Sequence, residues 1–191
     1  KVLRLLATGP RPLPHLRHIF SAAEVLDPLD RTVIEHRFGT IVRQIYMATE
    51  GLLGVSCEHG TLHLSEDTMQ FEFEPVAGSP LVTPIITDFS RETQAMVRYR
   101  LNDLLLLSHD ACACGSPLQP VAQVEGRMDD LLNLPTAIGS RLVTPDILRN
   151  AIVTADPRIS DFRLAQTDRD RVELSLLASL PAEAVERARD G

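Results

Sequence analysis

Lysine is all but absent from this chain. Lys1 is the single example among 191 residues, the remaining basic side chains being arginine, so chemistry that needs an interior amine cannot be completed within this sequence. Long apolar runs are also missing: the longest purely aliphatic stretch is Leu104 to Leu107, far short of a bilayer span, and no membrane partner is expected. A basic stripe is absent too. The net charge of -7 argues against a phosphate-backbone binder, so nucleic acid is not an expected partner. No charged head, apolar stretch and small-residue cleavage site follow Lys1, and the chain reads as an excised piece of a cytoplasmic protein. There is no internal repeat and no low-complexity segment. What is present is the balance of a soluble globular protein, 44% hydrophobic and 24% charged, of a length that suits one domain with a small appendage.

Periodicity and punctuation predict an α+β fold. Leu16 to Phe20 reads as a strand. Asp27 and Pro28 then supply an N-cap and first-turn pair for a helix with Leu29, Val33, Ile34 and Phe38 on its apolar face and Gly39 as its stop. From Ile41 to Tyr46 the chain is β-branched and apolar, and short strands with alternating faces follow a break at Met47 to Gly51. Met69, Phe71 and Phe73 share one such face. Pro75, Gly78, Pro80 and Pro84 punctuate the stretch, which predicts a meander of antiparallel strands rather than a parallel Rossmann-like sheet. Beyond Arg127, Thr144-Pro145 opens a helix through Leu148 and Ile152, two strands join at Asp168 to Asp170, and a last helix starts at Pro181. The expected boundary falls near Met128 to Asp130, giving a larger domain over 1–128 and a small, incomplete one over 129–191.

Three segments in a fixed order stand out: Tyr46-Met47-Ala48-Thr49-Glu50-Gly51, Arg98-Tyr99-Arg100-Leu101-Asn102-Asp103 and Gly126-Arg127-Met128-Asp129-Asp130. With Ser21-Ala22-Ala23-Glu24 upstream, they resemble the adenylate-forming superfamily, and within it the phenylacetate–CoA ligase and coenzyme synthetase branch. The resemblance covers roughly residues 16 to 155. Order, spacing and strand context agree across segments that are each too short to be specific alone. The resemblance implies the C-terminal portion of a ligase that uses ATP and magnesium to adenylate a carboxylic acid, an aryl acid being the family default, and passes the acyl group to CoA or another acceptor.

Chemistry gives each matching residue a reason. The hydroxyl of Thr49 can donate to an α-phosphate oxygen, and the hard carboxylate of Glu50 suits a magnesium ion. Asp103 offers two acceptor oxygens for the vicinal hydroxyls of a ribose, and Arg127 a fork of donors for ribose or phosphate oxygens. The resemblance stacks adenine on the backbone of Ala22, Ala23 and Glu24 with the Tyr46 ring nearby, and makes Asp129 the hinge about which a small C-terminal domain swings. A polar turn at 129–130 and a core role for Tyr46 are the alternatives. Two departures stand out: Met47 replaces the usual glycine, and Ala95-Met96-Val97 lacks the proline that often precedes the arginine here numbered Arg98. No Gly/Ser/Thr-rich loop and no second lysine occur, so the phosphate-gripping loop and the catalytic lysine are expected upstream of Lys1 and beyond Gly191, and the chain alone is expected to be inactive.

Cys57, His63, Cys112 and Cys114 offer three thiolates and an imidazole in two pairs separated by a long insert, which suits tetrahedral zinc. Cys57 and His63 flank a predicted hairpin with its tip at Glu58 to Gly60, and the ligase branch has a similar pattern. Four protein ligands leave no open position, so such a zinc is structural. A disulfide competes, but three cysteines leave one over. His59 is the alternative to His63, whereas His15, His18, His36 and His109 belong to no such pattern. Two functions remain open: an adenylating ligase, and a zinc-stabilised binding or scaffold module that keeps the ligase fold without its activity. A zinc hydrolase finds no His-Glu-x-x-His arrangement.

Overall fold

The computed structural model describes residues 2–10, 12–136, 139–156, 159 and 162–176. The chain forms two compact units, Lys1–Glu125 and Gly126–Gly191, and is an α+β protein rich in sheet and poor in helix. No helix among the described residues is long and apolar enough to cross a membrane.

The first unit is built on a nine-stranded sheet. In chain order its elements are α1 (Val2–Thr8), β1 (Ile19–Ala22), α2 (Pro28–Phe38), β2 (Val42–Ala48), β3 (Gly51–Ser56), β4 (Leu62–Leu64), β5 (Met69–Pro75), β6 (Val82–Asp88), β7 (Met96–Arg100), β8 (Asp103–Leu107) and β9 (Pro120–Arg127). The strands lie in the order β1-β2-β3-β4-β9-β8-β6-β5, with β7 also paired to β6. Pairing from β2 through β3 to β4 and then β9 is antiparallel, as is that of β5 and β7 with β6. Strand β1, upstream of the stretch expected to form an antiparallel meander, runs parallel to β2.

Helix α2 shows how local sequence becomes structure. The Asp27 carboxylate accepts from the Leu29 and Asp30 amides at 2.8 and 3.3 Å, Pro28 fills the first turn, and Gly39 takes the left-handed conformation (φ 64°) that ends the helix. The inward face matches the expected one at Ile34 and Phe38 and differs at Leu29 and Val33. Ile34 and Asp30 are buried, while Leu29 and Val33 are exposed. Arg4 of α1 pairs with Asp30 at 2.5 Å, and Ile34 packs with Ala7, Ile19, Leu26 and Val42. The expected strand at Leu16 to Phe20 also shifts, because pairing with β2 begins only at Ile19.

A second cluster fills the sheet: Leu53, Leu64, Ile86, Leu101 and Leu105 are buried together with Met69, and Phe71 and Phe73 pack against them. Gly54 lies opposite Leu64 where β3 pairs with β4. A Cβ there would lie 2.6 Å from the His63 carbonyl oxygen, and neither backbone can yield cheaply. Gly54→Ala should therefore lower stability by about 1–3 kcal/mol instead of giving the modest gain common for this change. The shift of the urea unfolding midpoint measures it.

In the second unit, β10 (Leu132–Thr136) and β11 (Gly139–Val143) form one antiparallel pair and β12 (Phe162–Asp168) and β13 (Arg171–Leu176) another. Helix α3 (Pro145–Ala155) begins at its proline. Ile152 and Ile159 are buried against Phe162, Leu164, Leu174 and Leu176. Gln166 ties the two pairs together, accepting from the Asn133 amide at 3.0 Å and donating to the Asn133 carbonyl at 2.9 Å. The helix expected from Pro181 lies outside the described residues.

Candidate functional site

Two constellations on the first unit draw on the residues singled out in the sequence. The first gathers around Tyr46. Antiparallel β2 and β3 are joined by a turn at Thr49 and Glu50. A bulge at Tyr46 and Met47 leaves Met47 exposed, so a side chain in place of the usual glycine meets no obstacle. Tyr46 is buried in the core, and its hydroxyl donates to Asp103 Oδ2 at 2.6 Å. Burial, then the charges of Asp103 and Glu50 and the bond to Asp103, push the phenol well above its ordinary range. Tyr46 is thus a core aromatic, the alternative raised for it, and it also contacts the motif aspartate, which the sequence had not linked to it.

The folded protein keeps Tyr46 protonated while an unfolded chain ionises it near the usual phenol range. This contribution to stability is complete below that range and is lost as the pH climbs beyond it. Alkaline titration of Tyr46→Phe should accordingly give the same phenolate absorbance change as the unaltered protein until unfolding begins. A smaller signal in the variant would mean that Tyr46 ionises in the native state.

Parallel pairing sets Ala22 opposite Ile45, next to Tyr46. Ala23 takes a left-handed φ of 68°, so the chain turns sharply as it leaves β1. Ala22, Ala23 and Glu24 line a cavity of about 270 Å³ with Leu3, Phe20 and Asp30. Of the other motif residues, Gly126 (φ 123°) and Arg127 end β9, and Asp129 lies in a 3₁₀ turn over Met128–Asp130. Arg127 and Asp129 are exposed.

The second constellation is the cysteine and histidine quartet. The ligand atoms of Cys57, His63, Cys112 and Cys114 all lie within 4.8 Å of one another. Cys57 opens the hairpin between β3 and β4, where its amide donates to Thr61 O and its carbonyl accepts from Gly60 N. His63 is buried in the centre of β4, and His59 is exposed at the hairpin tip. Between β8 and β9, Cys112 and Cys114 share a turn closed by Gly115 N donating to Cys112 O at 3.0 Å. His15, His18, His36 and His109 are exposed.

The spacing fits a metal. Tetrahedral zinc with bonds of about 2.3 Å to sulfur and 2.0 Å to nitrogen sets ligands about 3.5–3.8 Å apart. Cys57 and Cys112 sulfurs lie 3.7 Å apart, and Cys114 Sγ lies 3.4 Å from His63 Nε2. A disulfide needs about 2.05 Å between sulfurs, and all three cysteines are unbridged. His63 Nδ1 lies 3.0 Å from the Leu118 carbonyl; donating there fixes the tautomer with Nε2 turned to the thiols, as a metal ligand requires. The Cys114 amide, and after it the Thr61 hydroxyl, draw the Cys112 thiol down to about 6. At Cys114 the Ser116 amide favours the thiolate, but burial and the neighbouring sulfurs outweigh it and push that thiol up. Burial opposes charge on His63, yet the Leu118 carbonyl and the sulfurs move its pKa upward.

Sequence reasoning missed one residue at the first constellation. Arg91, just after β6, donates from Nη2 to the carbonyls of both Thr49 (3.0 Å) and Glu50. Nothing in its sequence neighbourhood marks it, because a contact across 42 residues depends on the folded sheet.

Comparison with known structures places the fold. The fold is that of a portion of the adenylate-forming acyl-CoA ligases. Against 2-hydroxyisobutyryl-CoA ligase in its postadenylation state with an acyl-AMP, the TM-score is 0.64 at 20% identity, over 85% of this chain and 40% of that one. Against the anthranilate CoA ligase AuaEII with anthranoyl-AMP it is 0.68 at 13% identity, over 98% of this chain and 40% of that one. Protein CapK of Staphylococcus aureus is 26% identical over 167 residues, 86% of this chain and 36% of CapK. No family model matches the sequence. The chain thus spans well under half the length of these proteins.

Proposed function

We propose that this chain is the nucleotide-side portion of a carboxylate-adenylating ligase. The observation that carries the reading is the Tyr46–Asp103 contact beside the Thr49–Glu50 turn, two sequence motifs joined in space on a ligase fold. In this reading Asp103 accepts from the ribose hydroxyls, chiefly through Oδ1, the oxygen that Tyr46 does not engage. Adenine rests on the backbone of Ala22, Ala23 and Glu24 beside Tyr46. Thr49 donates to the α-phosphate, and the Glu50 carboxylate would hold magnesium, which supplies charge neutralisation at the phosphates. Arg127 reaches ribose or phosphate oxygens, and Asp129 is the hinge of a mobile C-terminal domain beginning near residue 129. The carboxylic acid, aryl or otherwise, becomes an acyl-adenylate and then passes to CoA or another acceptor. A cytoplasmic setting would keep the thiols reduced.

The quartet holds structural zinc in this proposal. Its ligand spacing and the Leu118 carbonyl behind His63 support it, and four protein donors make the site closed. The second reading, a zinc-stabilised scaffold with the ligase fold but no activity, draws on the same quartet. Exchange of labelled pyrophosphate into ATP by the intact protein, dependent on an added carboxylic acid, separates the two. Exchange is expected with at least one acid of an aryl, hydroxyacyl and alkyl panel. Metal content without exchange for any acid would leave the scaffold.

A further inference from the structure

The Thr49–Glu50 turn is short, and nothing in a two-residue connection fixes its side chains by itself. Behind it sits Arg91. Its Nε donates to Asp88 Oδ2 at 3.1 Å, and Nη2 donates to the Thr49 carbonyl at 3.0 Å and to that of Glu50. The Asp88 side chain is 2% exposed, and its other oxygen accepts from the amide and hydroxyl of Ser90, both at 2.7 Å. One planar guanidinium therefore joins a buried, fully bonded carboxylate at the end of β6 to two successive carbonyls of a different hairpin. Only arginine can do this, since its donors are fixed in a fork, whereas a lysine ammonium is a single point on a flexible stem. The next residue, Gly51, takes φ 147°, and a Cβ there would meet the Met69 side chain at 2.7 Å and lie 3.8 Å from Arg91 Nη2 and 3.9 Å from Asp88 Oδ2, so a side chain at this position would crowd the same anchor.

We propose that Arg91 is a positioning residue, which anchors the turn to Asp88 and so holds the Thr49 hydroxyl and Glu50 carboxylate in reacting geometry. Its catalytic purpose rests on the ligase reading above; its hold on the turn does not. At the turn Arg91 binds the backbone carbonyls of Thr49 and Glu50, so in this proposal it acts through those two residues and not on a substrate.

Arg91→Lys keeps the positive charge beside Asp88 and loses the fork, which protects the variant from the unfolding that a buried unpaired carboxylate would invite in Arg91→Ala. In the intact protein, kcat for carboxylate-dependent pyrophosphate exchange should fall about 10–100-fold, with KM for ATP changed less than about threefold, as expected when a reacting group is misplaced rather than removed. Asp88→Asn should reproduce the split. Amide exchange over residues 48–52 should quicken about tenfold while the β5–β6 pair keeps its protection. Unaltered kcat per folded molecule, or unaltered amide exchange at the turn, would overturn the proposal. If the unaltered protein performs no exchange with any acid, the ligase reading falls together with the catalytic purpose of Arg91. The amide measurement then decides whether Arg91 holds the turn.

Discussion

Asp103→Ala should lower kcat/KM for ATP in pyrophosphate exchange by about 10²–10³-fold, the loss of two charge-assisted hydrogen bonds of about 1.5–3 kcal/mol each, discounted for overlap. The carboxylate stands at the start of β8, and Tyr46 orients it through a 2.6 Å bond. Alanine removes the ribose acceptor and the partner of a buried hydroxyl at once. The second loss would destabilise the core, so the alanine variant alone confounds two effects. Asp103→Asn separates them. An amide oxygen still accepts from Tyr46 and keeps the core bonded, while the ribose loses its ionic acceptor. The asparagine variant should fold like the unaltered protein and lose about tenfold in kcat/KM. Tyr46→Phe gives the complementary control, since it keeps the carboxylate and removes only its orienting donor, and its loss should be smaller than that of Asp103→Ala. Equal exchange by the unaltered protein and Asp103→Ala would remove the ribose role.

The second large effect concerns the metal. Purified protein should carry one equivalent of zinc, and Cys112→Ser should lower both the zinc content and the unfolding temperature, the latter by about 10 °C. The four donors come from two hairpin-like segments, 57–63 and 112–114, which the zinc would clip together next to the β4–β9 pair. Loss of one donor opens that clip. A strong chelator should have the same effect as Cys112→Ser, and dithiothreitol should have none. The reverse pattern, sensitivity to reductant and indifference to chelator, would show that a Cys57–Cys112 disulfide had formed instead.

Local chemistry was legible in the sequence and long-range placement was not. Asp27, Pro28 and Gly39 marked the ends of α2 because capping acts within a few residues. The β12–β13 hairpin and the shared face of Met69, Phe71 and Phe73 followed from turn residues and alternation. The quartet was also readable, since metal ligands come in spaced pairs of recognisable residues. By contrast, α1 has no acidic residue in its first turn to announce it. The inward face of α2 includes Asp30, whose partner Arg4 lies 26 residues away. At the candidate site, the motifs named Tyr46 and Asp103 separately, but their contact spans 57 residues and exists only once β2 and β8 share a sheet. Arg91 lies outside every motif for the same reason.

The central claim is that a protein containing this chain makes acyl-adenylates, and mass spectrometry can test it without a coupled assay. The intact protein is incubated with ATP, magnesium and one acid at a time from the aryl, hydroxyacyl and alkyl panel, and the quenched mixture is searched for the mass of each acyl-AMP. The account predicts an acyl-AMP for at least one acid, formed only with ATP and reduced by Asp103→Ala. Zinc-loaded, folded protein that yields no acyl-AMP from any acid would contradict it.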